Sequence, residues 1–256
     1  MTDRSPSSAG KGRGLVALGL VLAAVFVALG AWQVERLAWK LDLIAAVNTR
    51  VAAAPVSAPG PDAWARIEAR SDAYRHVTAH GVFDNGHETL VQAVTDAGPG
   101  FWVITPLRTD AGFTVLVNRG FVPADHAAPA ARAAGQIIGP VAVTGLLRIS
   151  EPHGAFLRAN QPAAGRWYSR DVAAIAAAKG LGATAPYFVD ADATPNPGGW
   201  PRGGLTVVRF RNSHLAYAAT WFTLAAMSLG WSFWPAIEGV LRRRRPSARL
   251  AAADVR

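Results

Sequence analysis

Residues 14–34 read GLVALGLVLAAVFVALGAWQV and contain no charged side chain. As an α-helix with a rise of about 1.5 Å per residue, this stretch would span roughly 31 Å, close to the thickness of a bilayer hydrocarbon core. A second uncharged stretch, residues 215–237, reads LAYAATWFTLAAMSLGWSFWPAI. Both stretches are predicted to cross a membrane as helices, because uncharged runs of this length are rare in soluble domains.

The flanks of the first stretch indicate an uncleaved anchor. A secretory signal peptide has a shorter apolar region, of about 7–15 residues, followed by small residues at its cleavage site. Here the apolar run continues directly into Glu35 and Arg36. The residues that precede it include Asp3 and are too few for an arginine-rich transit peptide, which favours a bacterial plasma membrane over a mitochondrion.

The formal net charge of +9 arises from 26 Lys and Arg against 17 Asp and Glu. Much of this excess lies outside the two apolar stretches, near the ends of the chain, in Arg4, Lys11, Arg13, Arg242, Arg243, Arg244, Arg245, Arg249 and Arg256. Basic residues beside membrane helices stay in the cytoplasm. We therefore expect a multi-pass protein of the bacterial inner membrane with both termini cytoplasmic and a periplasmic central segment, and no nucleic-acid partner.

This topology divides the chain into six segments. In order they are a basic cytoplasmic tail (1–13), a first transmembrane helix (14–34), a juxtamembrane helix with a Pro/Ala linker (35–61), an extracytoplasmic domain (62–211), a second transmembrane helix (212–237) and an arginine-rich cytoplasmic tail (238–256).

Between the two apolar stretches the hydrophobic period changes to two, which is typical of β-strands joined by turns. The predicted strands are 74–83, 88–94, 101–108, 113–118, 141–149, 187–190 and 205–210. Ser169 is the predicted N-cap of a helix over 170–179 that ends at Gly180. The expected fold class is an α+β membrane protein, in which two transmembrane helices flank a mainly antiparallel-β extracytoplasmic domain with one or two helices.

The sequence contains no recognisable catalytic constellation. There is no cysteine, which excludes disulfides, thiolate metal sites and cysteine nucleophiles. His76 and His80 have the spacing of a helical metal site, but they lie in a predicted strand, where that spacing separates them by about 13 Å. Asp84, His87 and Glu88 crowd one turn, where polar residues are common. We predict no catalytic residue, no metal site and no enzymatic activity.

His214 begins the second apolar stretch and is the one candidate binding residue. The residues that share its helical face are Tyr217, Ala218, Trp221 and Ala225. Such a face offers a haem an axial ligand and an apolar wall, with Arg209 and Arg211 available to its propionates. The alternative is an interfacial histidine that reaches water while Tyr217 and Trp221 pack on the first helix.

Four stretches resemble the surfeit locus protein one family, whose members are membrane assembly factors for cytochrome c oxidase. The stretches are GAWQVERLAWKLDLI (30–44), GFWVITPL (100–107), VLVNRGFVP (115–123) and NSHLAYAATWFTLA (212–225). They keep the order, and the placement relative to the apolar stretches, that the family shows. Phe121 stands where many members have tryptophan, and this difference preserves an aromatic ring. Asn118, Arg119 and Gly120 of the third stretch are expected to shape the end of a strand.

The resemblance implies a function and a site. Family members promote formation of the haem a centre of oxidase subunit I and are not regarded as enzymes. Bacterial members are linked to haem a binding through the histidine of the fourth stretch, which in this chain is His214. The implied function is an assembly factor that assists haem a delivery to subunit I or its stabilisation there. Haem a would be a transient cofactor, with subunit I, haem a synthase and the lipid bilayer as partners.

An alternative from another class remains open. The chain would then be a membrane scaffold that stabilises oxidase subunits through protein contacts and binds no haem.

Overall fold

The computed structural model describes residues 8–155, 158–208 and 210–243. The chain divides into two compact units, which we call the helical unit (Met1–Ile44 with Phe210–Arg256) and the β unit (Ala45–Arg209). Several of the arginines singled out in the sequence lie outside the described residues, namely Arg4, Arg209, Arg244, Arg245, Arg249 and Arg256.

Helix α1 covers Ser8–Ala52 without interruption, so that the predicted first membrane span and the juxtamembrane helix form one element. Its part from Arg13 to Ala52 is, among the described residues, the one helix long and apolar enough to cross a membrane. Most of its large apolar side chains in the predicted span are exposed, as expected for a surface that meets lipid. The predicted N-terminal apolar helix is therefore confirmed.

Helix α5 covers His214–Arg243 and is long but only weakly apolar. Serine, threonine, tyrosine and tryptophan interrupt its aliphatic residues, and the hydroxyls of Thr220, Thr223 and Ser228 donate to carbonyl oxygens four residues earlier. The predicted second transmembrane helix is therefore not supported. An uncharged sequence is not necessarily a strongly apolar one, and only the absence of charge is clear in residues 215–237.

Within the helical unit, α1 and α5 pack through small residues. The buried small residues of this contact are Gly19, Ala23 and Gly30 on α1 and Ala218, Ala225 and Ser232 on α5. A Cβ at Gly30 would lie 2.7 Å from the Phe222 ring, so a larger residue there would push the helices apart. Phe26 stacks on Trp221 with 5.8 Å between ring centroids. Small residues at the contact and aromatic rings beside it are typical of helices that associate in membranes.

The β unit is built on seven strands among the described residues. These are β1 (Val56–Ser57), β2 (His76–Phe83), β3 (Thr89–Thr95), β4 (Gly98–Thr109), β5 (Thr114–Pro123), β6 (Pro140–Ile149) and β7 (Thr184–Ala191). In the described part of the unit, three short α-helices accompany them, namely α2 (Pro61–Trp64), α3 (Ala69–Asp72) and α4 (Val172–Ala178), together with several 3-10 turns.

The strands form one sheet in the order β1-β2-β6-β7-β5-β4-β3, and β2 also pairs with β4. That extra pairing closes β2, β6, β7, β5 and β4 into a barrel-like ring. All pairs are antiparallel except β1–β2 and β5–β7. The prediction of a mainly antiparallel domain is therefore confirmed, whereas, among the described residues, three short α-helices accompany the sheet instead of the one or two expected. The closure of the sheet is new.

Two predicted segments differ in the structure. The Pro/Ala linker predicted within residues 35–61 contains β1, which pairs in parallel with β2 through Val56 and Val77. The last predicted strand, residues 205–210, has no regular structure in its described part, and Val207 is largely exposed. Since the ring strands β5 and β7 already have two neighbours each, this segment finds no free edge there to pair with.

Helix α4 ends as predicted, with Gly180 in the left-handed region at φ +61. Its N-cap is Asp171 rather than Ser169, because the Asp171 carboxylate accepts a hydrogen bond from the Ala174 amide at 3.1 Å. The Ser169 hydroxyl is used elsewhere, as the acceptor for the Gly154 amide.

Strand β5 is buried on both faces. Val115 and Val117 point into the core inside the ring, whereas Leu116 packs with Trp167 and Ile175 in a second core against α4. The strand continues to Pro123, so Asn118, Arg119 and Gly120 lie inside it and not at its end, contrary to the sequence prediction. The polar side chains of Asn118 and Arg119 are consequently buried.

Candidate functional site

His214 is the first residue of α5 and is half-buried. Its Nδ1 lies 2.8 Å from Oε1 of Gln33, a buried residue of α1. Because an amide oxygen can only accept, this hydrogen bond places the proton on Nδ1 and the lone pair on Nε2. A histidine whose Nδ1 is oriented by a second residue is a common form of metal-ligating histidine.

The residues around His214 agree with the sequence prediction in part. Ala218, Trp221 and Ala225 lie on the same face of α5 and pack on α1. Tyr217 points elsewhere and is about half exposed. Arg211 is exposed, whereas Arg209 lies outside the described residues. The donor set therefore suits one axial ligand to a haem iron, but the expected apolar wall is in contact with α1.

A cluster of polar and charged side chains lies on one face of β5. Asp190, only 2% exposed, accepts hydrogen bonds from Asn118 Nδ2 (2.8 Å), Arg148 Nη1 (2.6 Å) and Arg170 Nη1 (3.2 Å). Glu151 binds Arg170 through both carboxylate oxygens. We call Glu151, Asp190, Arg148 and Arg170 the Asp190 cluster.

The Asp190 cluster contains two guanidinium groups and two carboxylates, so its charges balance. Burial alone would lower the pKa of Arg170, but the carboxylates of Asp190 and Glu151 outweigh it and raise that pKa. The cluster therefore holds Arg170 in the charged form.

A third group surrounds Arg119, on the opposite face of β5. Arg119 is 2% exposed, its Nη2 donates to the Gly135 carbonyl and to Asn196 Oδ1 (2.9 Å), and its guanidinium lies 4.6 Å from the Phe83 ring centroid. Nearby, the buried Arg132 pairs with Glu88 through both carboxylate oxygens. We call Arg119, Arg132 and Glu88 the Arg119 cluster.

The Arg119 cluster has two cations and one carboxylate. Burial lowers the pKa of Arg119 to about 10, and the charge of Arg132 acts in the same direction while Glu88 opposes it. Nε and Nη1 of Arg119 are buried and have no hydrogen-bond partner among the described residues. Arg119 therefore remains protonated at neutral pH without full compensation.

The sequence interpretation did not identify either cluster. The available signal was the polar pair Asn118–Arg119 inside an otherwise apolar run. Because Gly120 follows this pair, it was interpreted as the end of a strand. Gly120 instead has φ +127 within the strand, and a Cβ there would lie 2.0 Å from the Arg202 carbonyl oxygen. Glycine is required because the segment around Arg202 passes directly over the β5 backbone.

The fold and these sites define a class of protein: a closed, mainly antiparallel β domain that follows a long apolar helix of membrane-spanning length. The SURF1 family matches residues 20–226, a range that includes all seven strands, Gln33 and His214. The chain belongs to this family, and the resemblance found in the sequence is confirmed.

Individual relatives support this assignment. "Surfeit locus protein 1" of Rattus norvegicus is 39% identical over 229 residues, which cover 83% of this chain and 72% of the relative. The protein of the same name from Homo sapiens is 38% identical over 224 residues, covering 81% and 72%. "SURF1-like protein" of Monosiga brevicollis is 37% identical over 249 residues, covering 91% and 92%.

Proposed function

We propose that this chain is a membrane assembly factor for haem-copper cytochrome c oxidase that acts on subunit I and catalyses no reaction itself. Membership of the SURF1 family over residues 20–226 is the observation that carries the proposal. The resemblance of four stretches to oxidase assembly factors supports it. Subunit I, haem a synthase and the lipid bilayer are the proposed partners.

The proposed topology places both termini in the cytoplasm of a bacterium and the β unit in the periplasm. The basic residues near the two ends of the sequence support this orientation. The 30 residues of α5 would extend about 45 Å, enough to cross a bilayer, and many of its large apolar side chains are exposed. Reporter fusions test the topology: a periplasm-dependent phosphatase should be active when inserted in the β unit and inactive at either terminus. The reverse pattern would overturn it.

Within this function, His214 is the proposed ligand for haem a. The hydrogen bond from Nδ1 to Gln33 leaves Nε2 as the ligating nitrogen, and Gln33 fixes the orientation of the ring. The contribution of the chain is to present this nitrogen to the haem iron, the redox centre that subunit I requires. One protein ligand suits a carrier that must also release its cargo.

Haem content tests this assignment. The full chain is purified from cells that also express a haem a synthase, and the bound haem a is measured from its absorption spectrum. His214→Ala should lower the haem content at least tenfold, and Gln33→Leu should weaken haem binding by roughly 10–100-fold because it removes the orienting partner. His80→Ala, which removes an exposed histidine of β2, is the control. An unchanged spectrum for His214→Ala would remove this residue from the site.

Oxidase assembly is tested separately in cells. Deleting the gene for this chain should reduce haem a in the membranes and oxidase activity, and the wild-type chain should restore both. If neither falls in the deletion strain, the assembly function itself is wrong.

One observation favours the alternative of a scaffold without haem. Trp221, part of the expected haem wall, already stacks on Phe26, and the small residues beside it are buried against α1. Full restoration of the oxidase by His214→Ala, with no haem on the purified wild-type chain, would establish the scaffold instead.

A further inference from the structure

A cavity of about 140 Å³ lies in the β unit next to Arg119. At ~30 Å³ per water, this volume is equivalent to about four or five water molecules, so it suits a small molecule or the small end of a larger one. The lining mixes aliphatic and polar side chains, among them Val117, Ile137 and Val143 on one hand and Asp192, Thr194 and Asn196 on the other.

The cavity contains an incompletely paired cation. Within the described part of the chain, Arg119 donates through Nη2 only, and both acceptors are neutral oxygens, from Gly135 and Asn196. Nε and Nη1 carry three further N–H groups that find no acceptor among the described residues. Since buried N–H groups are nearly always paired, these groups indicate an acceptor supplied from outside the chain.

Neighbouring carboxylates do not supply that acceptor. Glu88 already uses both oxygens for Arg132. Asp192 accepts from the Thr194 amide at 2.9 Å, and no ion pair between the described residues joins it to Arg119. Among the described residues, Arg119 therefore has no carboxylate within hydrogen-bond distance, although Asp192 lines the same cavity.

We propose that this cavity binds the carboxylate of a short aliphatic acid, or the same group at the end of a longer aliphatic chain, with Arg119 as its anchor. A carboxylate would provide the missing charge and the missing acceptors in charge-assisted hydrogen bonds. Val117, Ile137 and Val143 would contact the hydrocarbon part of such an acid, and inorganic phosphate offers them no such part. The site lies entirely in the β unit and is independent of the His214 site.

Calorimetric titration of the detergent-solubilised full chain tests the proposal. Propionate should bind saturably, whereas propionamide, which has nearly the same shape but no charge, should bind at least tenfold more weakly. Octanoate distinguishes the two forms of the ligand: it binds if the site takes the end of a longer chain and fails to bind if the site takes a short acid only.

Two substitutions link the binding to the charges of the cavity. Arg119→Met should abolish propionate binding, and Asp192→Asn should strengthen it severalfold, because it removes a negative charge from the lining. If Arg119→Met fails to fold, Thr194→Glu provides a second route, because it adds a negative charge at an exposed position beside the cavity. It should weaken binding, while the neutral Thr194→Gln should leave it unchanged.

Three results would overturn the proposal. The first is the absence of saturable propionate binding to the wild-type chain, which would identify the cavity as a water site. The second is equal binding of propionate to wild type and Arg119→Met. The third is binding that occurs only in Asp192→Asn, because Asp192 would then be the internal counter-ion of Arg119.

Discussion

The Asp190 cluster and the Arg119 cluster are reached from adjacent residues of β5, Asn118 and Arg119, yet they differ in charge balance. On one face, two arginines meet two carboxylates, and Asp190 alone accepts bonds from both. On the other face, Glu88 pairs with Arg132 through both oxygens, and Arg119 keeps two buried nitrogens that have no partner among the described residues. We therefore expect the Asp190 cluster to stabilise the fold, whereas the missing partner of Arg119 indicates a binding site.

The largest effect is expected from Asp190→Asn, which leaves the half-buried Arg148 and Arg170 without their shared carboxylate. The free energy of unfolding of the full chain should fall toward the upper end of the ~3–5 kcal/mol that breaking a buried ion pair costs. Urea unfolding followed by tryptophan fluorescence measures it. Asp96→Asn, at an exposed turn, is the control and should change little. A loss below about 1 kcal/mol would show that the cluster does not carry this structural role.

A smaller loss, near about 3 kcal/mol, is expected for Glu88→Gln. The amide oxygen can still accept one hydrogen bond from Arg132, but both arginines of the cluster then lack a counter-charge. Combining it with Arg132→Met should recover part of the loss, because the second change removes the orphaned cation. Purely additive losses in the same urea experiment would contradict the pairing of Glu88 with Arg132.

Arg119→Met should change the unfolding free energy by no more than about 1 kcal/mol. Removing an uncompensated buried charge is favourable and offsets the two hydrogen bonds that Nη2 loses. Denaturant midpoints of wild type and variant, in buffer free of carboxylates, provide the measurement. A loss as large as that of Asp190→Asn would mean that the two faces of β5 are energetically alike.

The smallest effect, about 0.5 kcal/mol, is expected for Asp84→Asn, which breaks a pair with the largely exposed Arg108. Burial alone would raise the pKa of Asp84, but hydrogen bonds from His87 and Arg108 outweigh it and lower that pKa. The stabilisation is therefore present above the unfolded pKa of about 3.9 and disappears as the pH falls through the lower folded value. Unfolding of wild type and variant should differ at neutral pH and converge in acid.

Much of the β unit could be predicted because its strands obey simple patterns. In β2, Val77 and Ala79 alternate with more exposed neighbours, since one face meets the core. Strand β5 breaks that rule: both of its faces are buried, so the burial of Asn118 and Arg119 could not be read from alternation. Closure of the sheet depends on β2 approaching β4 at Gly81, where a Cβ would lie 2.1 Å from the Arg108 carbonyl oxygen.

Of the two residues that form the candidate site in the helical unit, only His214 was predicted. His214 is identified by its place at the start of α5 and by the fourth resembling stretch. Its partner Gln33 is 181 residues away in sequence, and no spacing rule connects the two. The clusters on β5 are likewise long-range, since Asn118 and Asp190 are 72 residues apart. Side-chain partners of this kind become visible only when the tertiary packing is known.

Position 120 of the chain should tolerate no residue other than glycine. Its backbone conformation and the carbonyl oxygen directly above it leave no room for any other amino acid, including alanine. Its neighbour Phe121 has a buried ring that packs edge-on against Trp102, so other aromatic side chains are the natural replacements there. In a library of all single substitutions, codon 120 should therefore accept only synonymous changes. Codon 121 should accept the few codons that encode another aromatic residue.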